Sequence, residues 1–327
     1  MIPDVKQPAV ARALRGTFGV DAPEDIRRLT GGPSTALVFR IVVKGHPYLL
    51  RIVLREDAQS DPTWQLGCMK IAAEAGIAPR IVYTSAADRL SITDFVEAKP
   101  MPGDAATRIA DAIRRLHALP SFPRSASYLD TIDSFVQRFK EARLLPERAT
   151  DELVRRYGRL AEVYPRGDAD LVASHNDLTP DNILFDGERV WLVDWEEASL
   201  NDRYADLAVA ASFFVRNEAD EEAYLRAYFG EPAGEHRRAR LYLMRQAVHV
   251  FNATRFMLLA AASGKAFDPE MTAPDSRAFH ARLASGETSL ATDEGKLQYA
   301  KAHLMQALRG MQAQRFDDAI ARVASGA

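Results

Sequence analysis

Cysteine is almost missing from this chain of 327 residues. Cys68 is the only one, so no disulfide framework can form, which fits a reducing compartment. A surplus of either charge is missing too: the net charge is −3 and the isoelectric point about 6.2. There is thus no basic surface to draw nucleic acid and no polybasic segment to draw anionic lipid. No stretch of about twenty apolar residues is present, as a membrane-spanning helix needs. The opening MIPDVKQPAVARALRG has no continuous apolar core of the signal-peptide kind. No internal repeat or low-complexity tract stands out. These absences point to a soluble cytoplasmic protein without nucleic-acid or membrane partners; the chain is expected to be a monomer or homodimer. What the chain does have is 47% apolar content, enough for one two-lobed unit or two domains.

Most of the chemistry is concentrated in residues 171–197, LVASHNDLTPDNILFDGERVWLVDWEE. Leu171 to Ala173 reads as a short buried strand that delivers His175, Asn176 and Asp177. Ile183 to Phe185 and Val190 to Val193 read as two further strands joined by a turn at Asp186-Gly187, the second ending at Asp194. Taken singly, Asp181-Asn182 or Asp186-Gly187 is ordinary turn chemistry, because Asp and Asn mimic backbone acceptors and tolerate left-handed conformations. As a set, Asp177, Asn182 and Asp194 place oxygen donors at strand ends, where they can converge. Oxygen-only donors suit magnesium better than zinc.

The remaining chain reads as a sheet-rich front and a helical back. Val5 to Phe18 is an amphipathic helix. Ala36 to Val43, Tyr48 to Val53, Arg80 to Ser85 and Arg89 to Val96 are strands, with a helix from Asp61 to Ala75 between the second and third. Gly31-Gly32-Pro33-Ser34-Thr35 precedes the first of these strands, and a glycine pair there lets backbone approach a phosphate. Two glycines also make a plain hairpin. Arg51 lies inside an apolar strand, where an unpaired cation is costly, so it should point into a cleft holding anionic groups. Its alternative is the solvent face of an edge strand. Glu97 to Gly103 is a Pro/Gly-rich link. Asp104 caps a helix to Leu119, and Tyr128 to Leu145 and Glu147 to Tyr164 are amphipathic helices. Beyond Ala208 the pattern is helical, with breaks near residues 230–232, 264–274 and 285–286. Its many aromatics sit at core spacing.

The spacing H-x-D-x-x-x-x-N of His175, Asp177 and Asn182, with Asp194 closing the next strand, resembles the aminoglycoside phosphotransferase and choline kinase superfamily. Protein kinases share its Asp-to-Asn interval. The run from Asp194-Trp195-Glu196 to Asp206-Leu207-Ala208 resembles the same superfamily's "D-W-E-x-A … G-D-x-x-x-D-L-A", with Asn201 in place of the Gly, and Leu49-Leu50-Arg51-Ile52 its choline-kinase-like "VLRI" strand. The resemblance runs from about Leu29 to Leu207.

It implies an α+β, protein-kinase-like, two-lobed fold: a nucleotide-binding lobe over residues 1–98 with a small antiparallel sheet, and a mainly helical catalytic and substrate-binding lobe over residues 99–327. It implies ATP and Mg2+ as cofactors, Asp177 as catalytic base, and Asn182 and Asp194 as metal ligands. Gly32, Ser34, Thr35 and Arg51 would meet the phosphates. The main chain at Asp94 and Val96 would meet adenine, with Thr93 lining the pocket. His175 supports the loop, and Asp206 would accept backbone amides of the catalytic loop. Glu196 sits in the outer metal shell or beside the substrate. Kinases carry a Glu on the first helix of the small lobe to pair with the basic strand residue; here that place falls near Gln65 or Leu66, and neither is acidic.

The implied acceptor is a hydroxyl of a small molecule, with a cationic amino alcohol such as choline or ethanolamine favoured and aromatics of the helical lobe holding its amine. Aminoglycoside, thiamine and homoserine acceptors are the alternatives within the superfamily. A nucleotide-binding module without turnover is one alternative outside it. The other is a metal-dependent phosphohydrolase on an unrelated, parallel-sheet fold.

Overall fold

The computed structural model describes residues 2–29, 36–55, 61–167, 170–268 and 271–326. The chain opens with a short 3-10 turn and helix α1 (Gln7–Phe18), which ends at the left-handed Gly19. Five strands follow: β1 (Asp25–Leu29), β2 (Ala36–Val43), β3 (His46–Val53), β4 (Ile81–Ser85) and β5 (Leu90–Asp94). They form one antiparallel sheet in the order β1-β2-β3-β5-β4. Alternation of side chains across the pleat sends Phe39, Ile41, Val43, Leu50, Ile52, Leu90 and Ile92 to one buried face. That face packs on Val10, Ala13 and Leu14 of α1, forming a compact core of its own.

Helix α2 (Thr63–Glu74) lies between β3 and β4 in sequence, and Asp61 Oδ1 accepts the Thr63 amide hydrogen at its start. Its buried residues, Cys68 and Ala72, join the larger second core rather than the sheet's. Trp64 Nε1 donates to the Ala198 carbonyl at 2.7 Å, fixing α2 against the segment that follows Asp194.

The link after β5 is tied down by the Lys99 amide, which donates to the Phe185 carbonyl at 2.6 Å. Helices α3 (Ala105–His117), α4 (Tyr128–Ala142) and α5 (Glu147–Val163) come next. Asp104 does occupy the N-cap position of α3, but its carboxylate accepts from Arg108 Nε instead of capping amides. Four short strands form two antiparallel pairs: β6 (Leu171–Ser174) with β9 (Ser199–Asp202), and β7 (Ile183–Phe185) with β8 (Val190–Leu192). The β7–β8 hairpin turns at Asp186-Gly187, with Asp186 Oδ1 accepting the amides of Glu188 and Arg189. Strand β9 has no period-2 signature strong enough to stand out in the sequence.

Helices then run to the end: α6 (Arg203–Phe214), α7 (Glu218–Phe229), α8 (Glu235–Ala262), α9 (Ser276–Ala284), α10 (Asp293–Gln312) and α11 (Gln314–Ala324). The long α8 is buried along most of its length and packs on α4, α6, α10 and α11. Every strand pairing within the three sheets is antiparallel, which removes the parallel-sheet phosphohydrolase. No helix among the described residues is long and apolar enough to cross a membrane.

Candidate active site

Strand β6 carries the chain into a loop whose shape is set by one buried carboxylate. Asp206, on the first turn of α6 and fully buried, accepts the His175 amide hydrogen on Oδ2 at 2.8 Å and the Asn176 amide hydrogen on Oδ1 at 2.6 Å. His117 Nε2 lies 3.1 Å from Oδ2, and Nδ1 of the same ring lies 2.7 Å from the Tyr228 hydroxyl. Burial pushes the Asp206 carboxyl up, but the hydrogen bond and charge of His117 and the loop contacts outweigh it and hold the group below the usual carboxylate range. The expected bonding of Asp206 to loop amides is therefore present. His117 and Tyr228 complete it, and nothing local in the sequence marks them.

Asn176 adopts φ +66°, a left-handed conformation that Asn accepts more readily than most residues. Its side chain fixes that turn. Nδ2 donates to the Glu197 carbonyl and to Ser199 Oγ, both at 2.8 Å, while Oδ1 accepts from Asn201 Nδ2 at 2.8 Å. His175 is buried, places Nε2 2.8 Å from the Val193 carbonyl and leans on the Trp195 ring. It supports the loop, as its position in the motif implies.

Asp177 and Asn182 meet directly. Asn182 Nδ2 donates to Asp177 Oδ2 at 2.9 Å and to the Asp177 carbonyl at 2.8 Å. Pro180 begins a 3-10 turn that ends at Asn182, whose carbonyl accepts from the Val193 amide. The turn is thereby joined to the end of β8, one residue before Asp194. Burial drives the Asp177 carboxyl up to about 6; the nearby His175 opposes the rise, and the Asp194 charge adds to it.

Asp194 sits at φ +65° on the other side of the loop. Its Oδ1 lies 2.8 Å from Arg51 Nη1, and Arg51 Nη2 pairs with Glu196. Arg51 extends from the middle of β3, opposite Ser91 of β5, and its side chain is 15% exposed. Arg51 thus points to anionic groups, and these acidic partners lie on the segment after β8 rather than on α2. Burial raises the Glu196 carboxyl; Arg51 opposes this, and Asp194 adds to it.

A magnesium ion fits this donor set. The amide nitrogen of Asn182 is spent on Asp177, which leaves its Oδ1 as an acceptor, and Asp194 keeps a second oxygen beside the one on Arg51. No cluster of three or more His, Cys, Asp or Glu among the described residues is placed to hold a metal. Two protein oxygens are nevertheless what magnesium uses when substrate phosphates and water complete its shell.

Of the other expected nucleotide contacts, Thr93 is buried in β5, paired with Leu49 and Ile81. Asp94 ends that strand; its amide donates to the Arg80 carbonyl and its carboxylate grips Arg80 at 2.9 Å through both oxygens. Val96, two residues on, is half-buried, and its amide finds no acceptor among the described residues. Gly32, Ser34 and Thr35 lie outside the described residues.

Three side chains of the helical part interact with Asp177 through charge: Tyr128 at the start of α4, Arg255 on α8 and Tyr299 on α10. The charge of Arg255 draws the Asp177 carboxyl down, and the Asp177 charge acts on both phenols, which burial pushes well above their ordinary value. Sequence spacing assigns such helical residues to packing, and only the folded arrangement brings them to the base.

Residues 25–242 match the model of the phosphotransferase enzyme family. Among solved structures, a choline/ethanolamine kinase family protein from Mesorhizobium loti is 23% identical over 98% of this chain and 100% of that chain, with a TM-score of 0.72. A choline kinase from Streptococcus pneumoniae is 13% identical over 93% of this chain and 100% of that chain, with a TM-score of 0.60. A spectinomycin phosphotransferase in complex with ADP and spectinomycin is 13% identical over 93% of this chain and 98% of that chain, with a TM-score of 0.59. These likenesses establish the kinase-like fold. No curated protein sequence matches the chain.

Proposed function

This chain belongs to the phosphotransferase enzyme family, and from that membership we propose that it transfers the γ-phosphoryl group of ATP, with Mg2+, to a hydroxyl of a small molecule. The observation that carries the proposal is the Asp177–Asn182 hydrogen bond in a loop that the Val193 amide ties to the residue before Asp194, with Asp194 itself held by Arg51 from the separate sheet. The nucleotide would lie between a lobe of residues 1–98 and one of residues 99–327, its adenine against the main chain of Asp94 and Val96 beside Thr93. Gly32, Ser34 and Thr35 complete the proposed phosphate contacts.

In the proposed reaction the acceptor oxygen attacks the γ-phosphorus, the bond from that phosphorus to the bridging oxygen breaks, and ADP leaves. Asp177 takes the hydroxyl proton. A carboxyl pushed up to about 6 is suited to that role, being ionised at neutral pH yet more basic than a surface aspartate. Asn182 holds the carboxylate in one orientation through Oδ2. Magnesium bound at Asn182 and Asp194 would neutralise charge on the phosphates. Arg51, now on Asp194 and Glu196, has a planar fork suited to phosphate oxygens, so nucleotide entry would redistribute its contacts.

Structural neighbours named as choline and ethanolamine kinases favour an amino alcohol as acceptor, with aminoglycoside, thiamine and homoserine acceptors as alternatives. A cytoplasmic location agrees with the single cysteine. The test is ATP depletion by the full chain with Mg2+ over amino alcohols, aminoglycosides, thiamine and amino sugars. Acceptor-dependent ADP release with a phosphorylated product supports the proposal. Tight Mg–ATP binding with no product across the panel favours a binding module.

A further inference from the structure

Arg255 is half-buried on α8, with its guanidinium carbon 5.6 Å from the Phe251 ring centre and 5.7 Å from that of Phe256. Among the described residues it makes no hydrogen bond and no ion pair. A partly desolvated arginine with no carboxylate at ion-pair distance is unusual, since burying an unpaired cation carries a penalty; the Asp177 charge acts on it only through space. Other arginines on this helix are matched: Arg240 pairs with Asp170 and Asp202, and Arg245 faces Glu221.

Among the described residues, the helices around Arg255 supply no acid to it. From His236 to its end α8 contains no Asp or Glu, and α9 contains none. On α10 the acids are confined to the first turn, at Asp293 and Glu294. On α4, Asp130 and Asp133 are taken by Arg166, and Glu141 by Gln137. The carboxylates near Asp177 (Asp194, Glu196 and Glu197) belong to the segment on the metal side. Tyr128 packs on Phe251 with ring centres 5.4 Å apart and Tyr299 on Phe256 at 4.7 Å, the same two rings that Arg255 lies over, and neither phenol hydroxyl has a partner among the described residues.

Resting on the kinase reading above, we propose that the acceptor carries a carboxylate beside its reactive hydroxyl, received by Arg255. The phenols of Tyr128 and Tyr299 are placed to donate hydrogen bonds to the same group. A monoanionic carboxylate matches a single guanidinium and its planar fork. A phosphate dianion would bring a second negative charge close to Asp177 and Asp194 with only one cation to meet it. A simple choline-like cation meets the opposite difficulty: the Phe251 and Phe256 rings that would attract it already have Arg255 beside them, and like charges repel. An amino alcohol that also bears a carboxylate satisfies both the neighbours' chemistry and this arginine.

The test compares matched acceptors on the full chain with Mg–ATP: ethanolamine against serine, 3-aminopropanol against homoserine, and choline against carnitine. Wild-type protein should favour the acid-bearing partner of at least one pair by about tenfold or more, the scale of a hydrogen bond to a charged group. Arg255→Ala should raise KM for that acceptor by about 10- to 100-fold, and Arg255→Lys should retain part of the preference. Arg255→Glu should turn the preference toward the acid-free amine. Thermal melts of all three variants separate misfolding from lost recognition.

If wild-type protein uses acid-free acceptors equally well, or phosphorylates acid-free acceptors and none of the acid-bearing ones, this inference falls and the kinase reading stands; Mg–ATP binding with no product from any acceptor overturns both in favour of a binding module. An unchanged KM in Arg255→Ala also overturns the inference. If wild-type protein does not bind Mg–ATP, the kinase reading itself fails and takes the inference with it.

Discussion

Replacing Asp177 with Asn should remove catalysis and make the protein more stable. The carboxyl rises from its ordinary 3.8 to about 6, chiefly through burial. A carboxylate whose folded pKa is raised costs the folded state free energy once it ionises. The cost is absent below the unfolded pKa, grows between pH 3.8 and about 6, and is fully present above. At about 1.4 kcal/mol per pKa unit the upper bound is about 3 kcal/mol. Asn is nearly the same shape and keeps an oxygen for Asn182 Nδ2, but it loses the charge assistance of that bond, about 1 kcal/mol. The net gain is therefore about 1–2 kcal/mol at pH 7.5, or about 1–3 °C in melting temperature for a chain of this length. Thermal unfolding of wild-type and Asp177→Asn protein from pH 4 to 8 measures it directly. The curves should converge near pH 4 and separate through pH 6. A variant no more stable at pH 7.5, or one whose advantage is independent of pH, would refute the assignment of Asp177 as a buried base that burial makes costly to ionise.

The same elevation sets the acid limb of activity: kcat/KM should fall about tenfold per pH unit below roughly pH 6, and a limb near pH 4 contradicts it. Asp206→Asn puts an NH2 group against one of the donors now satisfied by the carboxylate, so we expect about 3–5 kcal/mol of lost stability and at least about a hundredfold loss of kcat. A melt and turnover within error of wild type would remove Asp206 from its role in shaping the loop. Asp194→Ala should abolish the magnesium dependence of nucleotide affinity in a calorimetric titration; equal affinity with and without the substitution takes Asp194 out of the metal site.

The parts of the site that were legible in the sequence are those built by neighbours along the chain. Asp177 and Asn182 are five residues apart, and their hydrogen bond follows from one short loop between two strands. Strands β2 and β7 match the apolar runs that mark them, because a pleated strand with a buried face writes its period into the sequence. Contacts across the fold left no such trace. Arg51 finds Asp194 and Glu196 from more than 140 residues away, so the nearby helix, where kinases keep the partner, is the wrong element. His117 reaches Asp206 across 89 residues and Tyr228 across 111, and at the end of α3 it reads as a packing residue. Arg255 is the sharpest instance. On a helix rich in arginine it carries no distinguishing pattern, and its meaning comes only from its lack of an ion-pair partner among the described residues.

The central claim is that Asp177 accepts a proton while phosphoryl transfer occurs around it, and it is tested most directly by following γ-labelled phosphate in the Asp177→Ala protein. With Mg2+ and an acceptor that wild-type protein phosphorylates, the variant should bind Mg–ATP with near-normal affinity and deliver no detectable label to the acceptor. Label transfer at a rate close to that of wild-type protein would contradict the account.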